Sequence, residues 1–478
     1  MKSMLMLAIS LCLYAGQGMA ADPQPAAPEA MASRTIDPAS IDLDAVRRVI
    51  ADPAGLAAPG CTASAFHDGR QLFAVASGAA DLASGKPLDQ RTLFYAASVS
   101  KQFTALAVAQ LAVAGKIDLD GDVRHYLPEL PQYEATITPR MLLNHTSGIA
   151  DWLGVAALLG VSDWGSLEKR QALAMIYAQP ATAFKPGTRF SYSNGGYLLL
   201  AELVERVSGQ ASPDYVAKKI LRPMGMRDGG FLAGTRRQGA GIAHGYVPEG
   251  DGYVLRDTYP AIGGSGGLMI STDDFARYEY DIAVGHKVWT DAVRAIMLQP
   301  GVLADGKPAD RLPGLAYAGG LLVGVRDGQA VIEHAGGAEA FRTQFLRLPE
   351  QHVTVVVLCN RGDWNPNVRA DAIANLVTGT SLWKDGAPMP ETAGRFVSAE
   401  QDTRYQLVAA GDQLRVTITS PFTSADGEQV LLKRGAKGAF DTEPAARRPL
   451  RIEFEPGGAA IKASIAGTNT MRLLREQD

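Results

Sequence analysis

The sequence predicts an α/β (α+β) fold: an antiparallel sheet flanked by helices, an all-helical region between its parts, and a small β-rich domain after it. Three observations predict this. Strand signals fall in two separated stretches, residues 61–77 and 319–359, while residues 118–272 read as helices and loops with Pro and Gly throughout. Beyond Thr380 the texture changes to short alternating runs between tight-turn residues. A chain of 478 residues is also long enough for more than one domain.

Taken in order, residues 1–20 open with Lys2, continue through an apolar run from Met4 to Tyr14 and end Gly18-Met19-Ala20. This reads as a signal peptide cleaved after Ala20, which predicts a periplasmic or secreted protein. The run is too short for a stable membrane anchor. Cys12 lies inside it and is followed by Leu13 and Tyr14, so no lipoprotein processing site is apparent. Residues 21–40, rich in Ala and Pro at their start, read as a linker.

The main domain is expected at residues 41–378. Residues 61–66 and 71–77 flank His67-Asp68-Gly69-Arg70, a hairpin signal built on Asp-Gly. The segment from Phe103 to Ala114 is apolar nearly all round, the mark of a helix buried in a core. Strands are expected at 319–325, 330–334, 343–348 and 353–359, and a helix at 366–377 closes against them. The last domain, 390–478, reads as a small barrel or sandwich. Runs at 405–409 and 413–419 flank Gly411-Asp412, and runs at 450–455 and 459–465 flank Gly457-Gly458.

A net charge of −4 with both signs interspersed gives no footprint for nucleic acid. Of three cysteines only Cys61 and Cys359 survive cleavage; an oxidising compartment would allow them to pair, but both sit in strand-like apolar runs and read more readily as two buried thiols, with the pairing left open. The seven histidines form no metal pattern, so neither a metal nor an organic cofactor is implied. The expected partner is a small-molecule or peptide substrate, with oligomeric state left open.

The chemistry lies in three short motifs: Ser98-Val99-Ser100-Lys101, Tyr192-Ser193-Asn194 and His334-Ala335-Gly336. On a helix, residues three apart share a face, so the Lys101 amine comes within reach of the Ser98 hydroxyl. A serine needs such a neighbouring base to act as a nucleophile. Lysine at the mouth of a buried helix is partly desolvated, which lowers its pKa towards that of a useful base. Tyr192 is the second candidate base, with its phenol pKa expected to fall beside the lysine ammonium. His145 reads as structural, hydrogen-bonded within its loop. Gly263-Gly264-Ser265-Gly266-Gly267 matches the Gly-x-Ser-x-Gly elbow but is followed by a short apolar run, with a helix capped by Ser271 or Thr272 only after it.

With these motifs the chain resembles the penicillin-binding protein and serine β-lactamase superfamily, in the branch of class C β-lactamases, D-aminopeptidases and esterases. Leu142 to Ile149, Lys185 to Phe190 and Gly263 to Gly267 carry the resemblance further. It implies a β-lactamase/transpeptidase-like fold and an acyl-enzyme on Ser98. It also implies an oxyanion hole formed by the N–H groups of Ser98 and Gly337, and substrate binding by Asn194, His334, Ala335 and Gly336. Ala335 stands where β-lactamases and carboxypeptidases usually carry a hydroxyl that binds the substrate carboxylate, and His334 stands in place of Lys. The expected function is therefore a peptidase, amidase or esterase for D-amino-acid peptides or small esters. The alternatives are a class C-like β-lactamase or D,D-carboxypeptidase and, in another class, a non-catalytic sensor that binds cell-wall fragments or β-lactams.

Overall fold

The computed structural model describes residues 36–379, apart from 162–164, 166, 233–240, 250–251, 258–261, 313, 327 and 339, and from 394 onwards the strands of a C-terminal sheet with residue 439. The expected signal peptide with Cys12, nearly all of the linker, and the Gly411-Asp412 and Gly457-Gly458 turns lie outside the described residues.

The main sheet is assembled from both ends of its domain. A hairpin, β1 (Cys61–His67) and β2 (Arg70–Ser77), turns on Asp68 and Gly69, both at positive φ. Six later strands join it: β3 (Asp310–Leu312), β4 (Leu315–Tyr317), β5 (Leu322–Arg326), β6 (Gln329–Ala338), β7 (Phe341–Leu348) and β8 (Val353–Cys359). Their order is β3-β4-β5-β6-β7-β8-β1-β2 and every pairing is antiparallel. β6 runs four residues past the expected end at His334. Ala335-Gly336-Gly337 lack β-forming side chains, but pairing with Gln344, Thr343 and Arg342 on β7 carries the strand through them.

Strands β1 and β8 are buried along their whole length, so helices must cover both faces. Helix α1 (Leu43–Ile50) packs on β2 and on the C-terminal helix of the domain, Pro366–Thr378, which lies against β7 and β8. Between the two parts of the sheet run α2 (Lys101–Val113), α3 (Trp152–Leu158), α4 (Asn194–Ser208) and α5 (Thr272–Tyr280). In chain order Pro366–Thr378 is α6. Helix α2 is buried on nearly every side and packs against α4, as its all-round apolarity predicts.

Cys61 and Cys359 form a disulfide, which corrects the expectation of two free thiols. The reason is register. Cys61 opens β1, Cys359 ends β8, and the antiparallel ladder sets them directly opposite with Cα atoms 4.1 Å apart.

The C-terminal strands form an eight-stranded closed barrel, from Gly394–Ser398 to Asn469–Arg475, with the first strand paired to the last through Phe396↔Arg475. Its interior is lined by alternate residues, among them Tyr405 and Leu407, Leu414 and Val416, Leu450 and Ile452. Among the described residues no helix is long and apolar enough to cross a membrane.

Candidate active site

Ser98 lies in a one-turn 3-10 helix, Ala97–Ser100, that runs straight into α2. Ala97 takes a left-handed φ of 47°, an uncommon conformation for a residue with a Cβ. Lys101, first residue of α2, is completely buried. Its Nζ lies 3.1 Å from Ser98 Oγ, 2.8 Å from Asn194 Oδ1 and 2.7 Å from the Ser265 carbonyl. An ammonium has one proton for each of these three acceptors. A neutral amine has two, which the carbonyl oxygens take, and its lone pair then faces the Ser98 hydroxyl. Burial pushes the Lys101 pKa well below the ordinary lysine value, opposed by the Asp151 carboxylate and assisted by the Arg311 charge.

Asn194 opens α4, with Ser193 as its cap accepting from the Gly196 N–H at 3.2 Å. The Asn194 amide donates to Asp151 Oδ2 at 3.0 Å and Oδ1 at 3.3 Å, which turns its oxygen towards Lys101. Asp151 in turn caps α3 through the Leu153 N–H. Burial raises its pKa, with its hydrogen bonds and Lys101 pulling the other way. A side chain on Gly195 would put a Cβ 2.1 Å from the Ala150 carbonyl, so only glycine lets this loop sit against α4.

The Tyr192 ring lies 4.8 Å from Lys101 Nζ, measured to its centroid, and its hydroxyl is buried beside Ser98 and Tyr317. Burial pushes this phenol up to about 12, although Arg311, Ser98 and Tyr317 draw it down. The expected depression is therefore not found: a lysine that is itself desolvated cannot offset the cost of burying a phenolate. His145 also departs from expectation. Its Nδ1 accepts from the Ser193 N–H at 3.1 Å, bridging to the second motif rather than bonding within its own loop. Its ring packs between Tyr192 and Tyr317, each 4.3 to 6.0 Å from its neighbours.

The third motif lies on β6. His334 is fully buried, with Nδ1 2.6 Å from the Ala335 carbonyl and Nε2 2.7 Å from the Tyr317 hydroxyl. A carbonyl only accepts, so Nδ1 carries the proton and Nε2 accepts from Tyr317. Burial and the charges of Arg311 and Lys101 push the His334 pKa well below its ordinary value, consistent with this neutral form. A Cβ at Gly336 would lie 2.1 Å from Thr343 Oγ1 and 2.3 Å from the Ala96 carbonyl. Glycine here lets β6 press against the turn that carries Ser98. Gly337 is exposed, and the nearest atom to a Cβ built on it is Arg342 Nη1 at 4.0 Å, so space for a ligand adjoins it.

The structure thus brings Ser98, Lys101, Tyr192 and Asn194 together against β6. It does not make an elbow of Gly263 to Gly267, which forms a tight turn leading into a strand, Leu268–Ile270. Its Ser265 carbonyl holds Lys101 and its Gly264 carbonyl accepts from Thr104 Oγ1 at 2.8 Å. Asp151, Tyr317 and Arg311 were not singled out from sequence, and Ser265 was singled out only as the serine of the elbow pattern. Only Asp151 left a signal, as an Asp one residue before Trp152-Leu153 in a helix-capping position. A cavity of about 600 Å³ lined by Arg91, Met224, Arg227, Asp273 and Arg277 lies elsewhere and contains none of these site residues.

Comparison with known proteins agrees with this fold. The family model described as Beta-lactamase matches residues 46–380. A D-aminopeptidase of Cereibacter sphaeroides is 28% identical over 361 residues, covering 74% of this chain; the chain spans 66% of that relative's length. Among solved structures, the octameric penicillin-binding protein homologue from Pyrococcus abyssi superposes with a TM-score of 0.63 at 22% identity, covering 90% of this chain and 98% of that one. D-amino acid amidase from Ochrobactrum anthropi gives 0.58 at 20% identity, covering 70% and 99%. The chain belongs to the Beta-lactamase family.

Proposed function

We propose that this protein hydrolyses D-amino-acid peptides, amides or small esters through an acyl-enzyme on Ser98. The observation that carries the proposal is the Lys101 amine, held by Asn194 and Ser265 so that its neutral form aims a lone pair at Ser98 Oγ. Lys101 takes the Ser98 proton as Oγ attacks the acyl carbon. The oxyanion that forms is received by the N–H groups of Ser98 and Gly337. Tyr192, protonated because of its burial, gives a proton to the departing amine or alcohol and regains one from Lys101. Water then attacks the acyl-enzyme as its proton passes to Lys101, and Lys101 hands a proton to Ser98 Oγ as the acyl–oxygen bond breaks, which frees the acid and restores the hydroxyl and the neutral amine.

The substrate class is supported by the relative named D-aminopeptidase and by Ala335, which offers no hydroxyl to a substrate carboxylate. The chain is exported by residues 1–20 and works in the periplasm or beyond; the Cys61–Cys359 disulfide supports that reading, because such bonds persist in oxidising compartments. Residues 41–378 and 390–478 act as hydrolase and accessory domains. The test is hydrolysis of D- and L-alanine para-nitroanilide side by side. A higher kcat/KM for the D form is expected; equal rates or a preference for L contradicts the assignment of substrate class.

A further inference from the structure

Among the described residues, one cation in the site faces no anion. Arg311 lies on the edge strand β3, whose pairing with β4 slips between Asp310 and Leu312, so Arg311 is the extra residue of a bulge. Bulges beside active sites re-aim side chains. Here the guanidinium sits over the Tyr192 ring, 4.7 Å from its centroid, in a half-exposed position. Among the described residues it makes neither a hydrogen bond nor an ion pair.

Among the described residues of the site, none neutralises it. The Asp151 carboxylate is already engaged by the Asn194 amide and the Leu153 N–H. Lys101, His145 and His334 all feel the Arg311 charge, which favours their neutral forms. The guanidinium is a cation with N–H donors and no acceptor.

We infer that Arg311 is a subsite for a carboxylate carried by the substrate's leaving group. The inference rests on the acyl-enzyme reading above, in which Tyr192 hands its proton to the leaving group. The ring beneath Arg311 therefore marks the leaving-group side. A planar guanidinium offers a carboxylate two parallel N–H donors. It repels an ammonium, so the amino group of a D-aminoacyl substrate lies on the other side of the scissile bond. The favoured substrate is a short D-aminoacyl peptide ending in a free carboxylate. Ala335 removes a carboxylate donor from β6, and Arg311 supplies one from β3.

The experiment uses the phenyl and meta-carboxyphenyl esters of phenylacetic acid, which share an acyl group and differ only in a carboxylate on the leaving phenol. The ratio of their kcat/KM values is compared among wild type, Arg311→Gln and Arg311→Lys. Arg311→Gln is expected to lower the carboxylate-to-neutral ratio by about tenfold or more, and Arg311→Lys by less. An unchanged ratio in Arg311→Gln overturns the inference. Binding of meta-hydroxybenzoate to Ser98→Ala, with and without Arg311→Gln, is followed by NMR titration. Turnover of neither ester by wild type defeats the acyl-hydrolase reading, and the binding arm then decides. Arg311-dependent binding supports the subsite; absent or Arg311-independent binding overturns it.

Discussion

Lys101 has three acceptors around one buried nitrogen, and which of them lacks a proton determines whether Ser98 can be activated. The sign of the pH dependence follows. A protonated Lys101 has no lone pair for the Ser98 proton, so the rate rises with pH through the Lys101 pKa, which burial holds well below 10.5. His145 and His334 are pushed well below 6.5 by burial and by neighbouring charges, so neither adds a limb near neutrality. Tyr192, pushed up to about 12, stays protonated through the alkaline range. The profile of kcat/KM is therefore expected to rise on one limb and stay flat to about pH 10. Tyr192→Phe lowers the plateau by about 100-fold or more without moving that limb. An alkaline fall near pH 10 that disappears in Tyr192→Phe contradicts this account. Five of the polar side chains here, Ser98, Lys101, Tyr192, Asn194 and His334, were legible because each lies in a short local motif. Arg311 and Tyr317 were not, because they reach the site from other strands, Arg311 over the Tyr192 ring and Tyr317 through its hydrogen bond to His334 and its ring contacts with His145 and Tyr192.

At the scale of elements, pairing decided what local sequence left open. Ala335-Gly336-Gly337 reads locally as the end of a strand, yet β7 carries β6 through it and so presents Gly336 to the Ser98 turn and Gly337 to open space. The turn at Gly263 to Gly267 contributes two backbone carbonyls, a role no side-chain pattern announces. The disulfide is a case of the same kind. Apolar flanks suggested two buried thiols, but the register of β1 against β8 sets Cys61 opposite Cys359, across a sequence separation of 298. Closing so long a loop restricts the unfolded chain. The double variant Cys61→Ala/Cys359→Ala is expected to lose about 2–4 kcal/mol of stability by urea unfolding while keeping its acylation of Ser98. Unfolding midpoints that coincide with those of the disulfide-bonded protein contradict that contribution.

For the molecule as a whole, the sequence indicated a sheet built from two distant stretches, a helical region between them and a β-rich tail, and the structure has all three. It did not distinguish barrel from sandwich. That choice depends on the first tail strand meeting the last, through Phe396↔Arg475 and Val397↔Leu474, a long-range pairing with no local signature. The same logic governs the catalytic assembly: the 3-10 turn before α2 brings Ser98, α2 brings Lys101, α4 brings Asn194, and β6 closes over the Ser98 turn. The claim that ties these elements to function is that Ser98 is the acylated nucleophile. Intact-protein mass spectrometry after incubation with a fluorophosphonate tests it most directly, using mature protein and Ser98→Ala. The account predicts one adduct on the wild-type protein and none on the variant. Folded wild-type protein that forms no adduct, or an adduct that persists in Ser98→Ala, would contradict it.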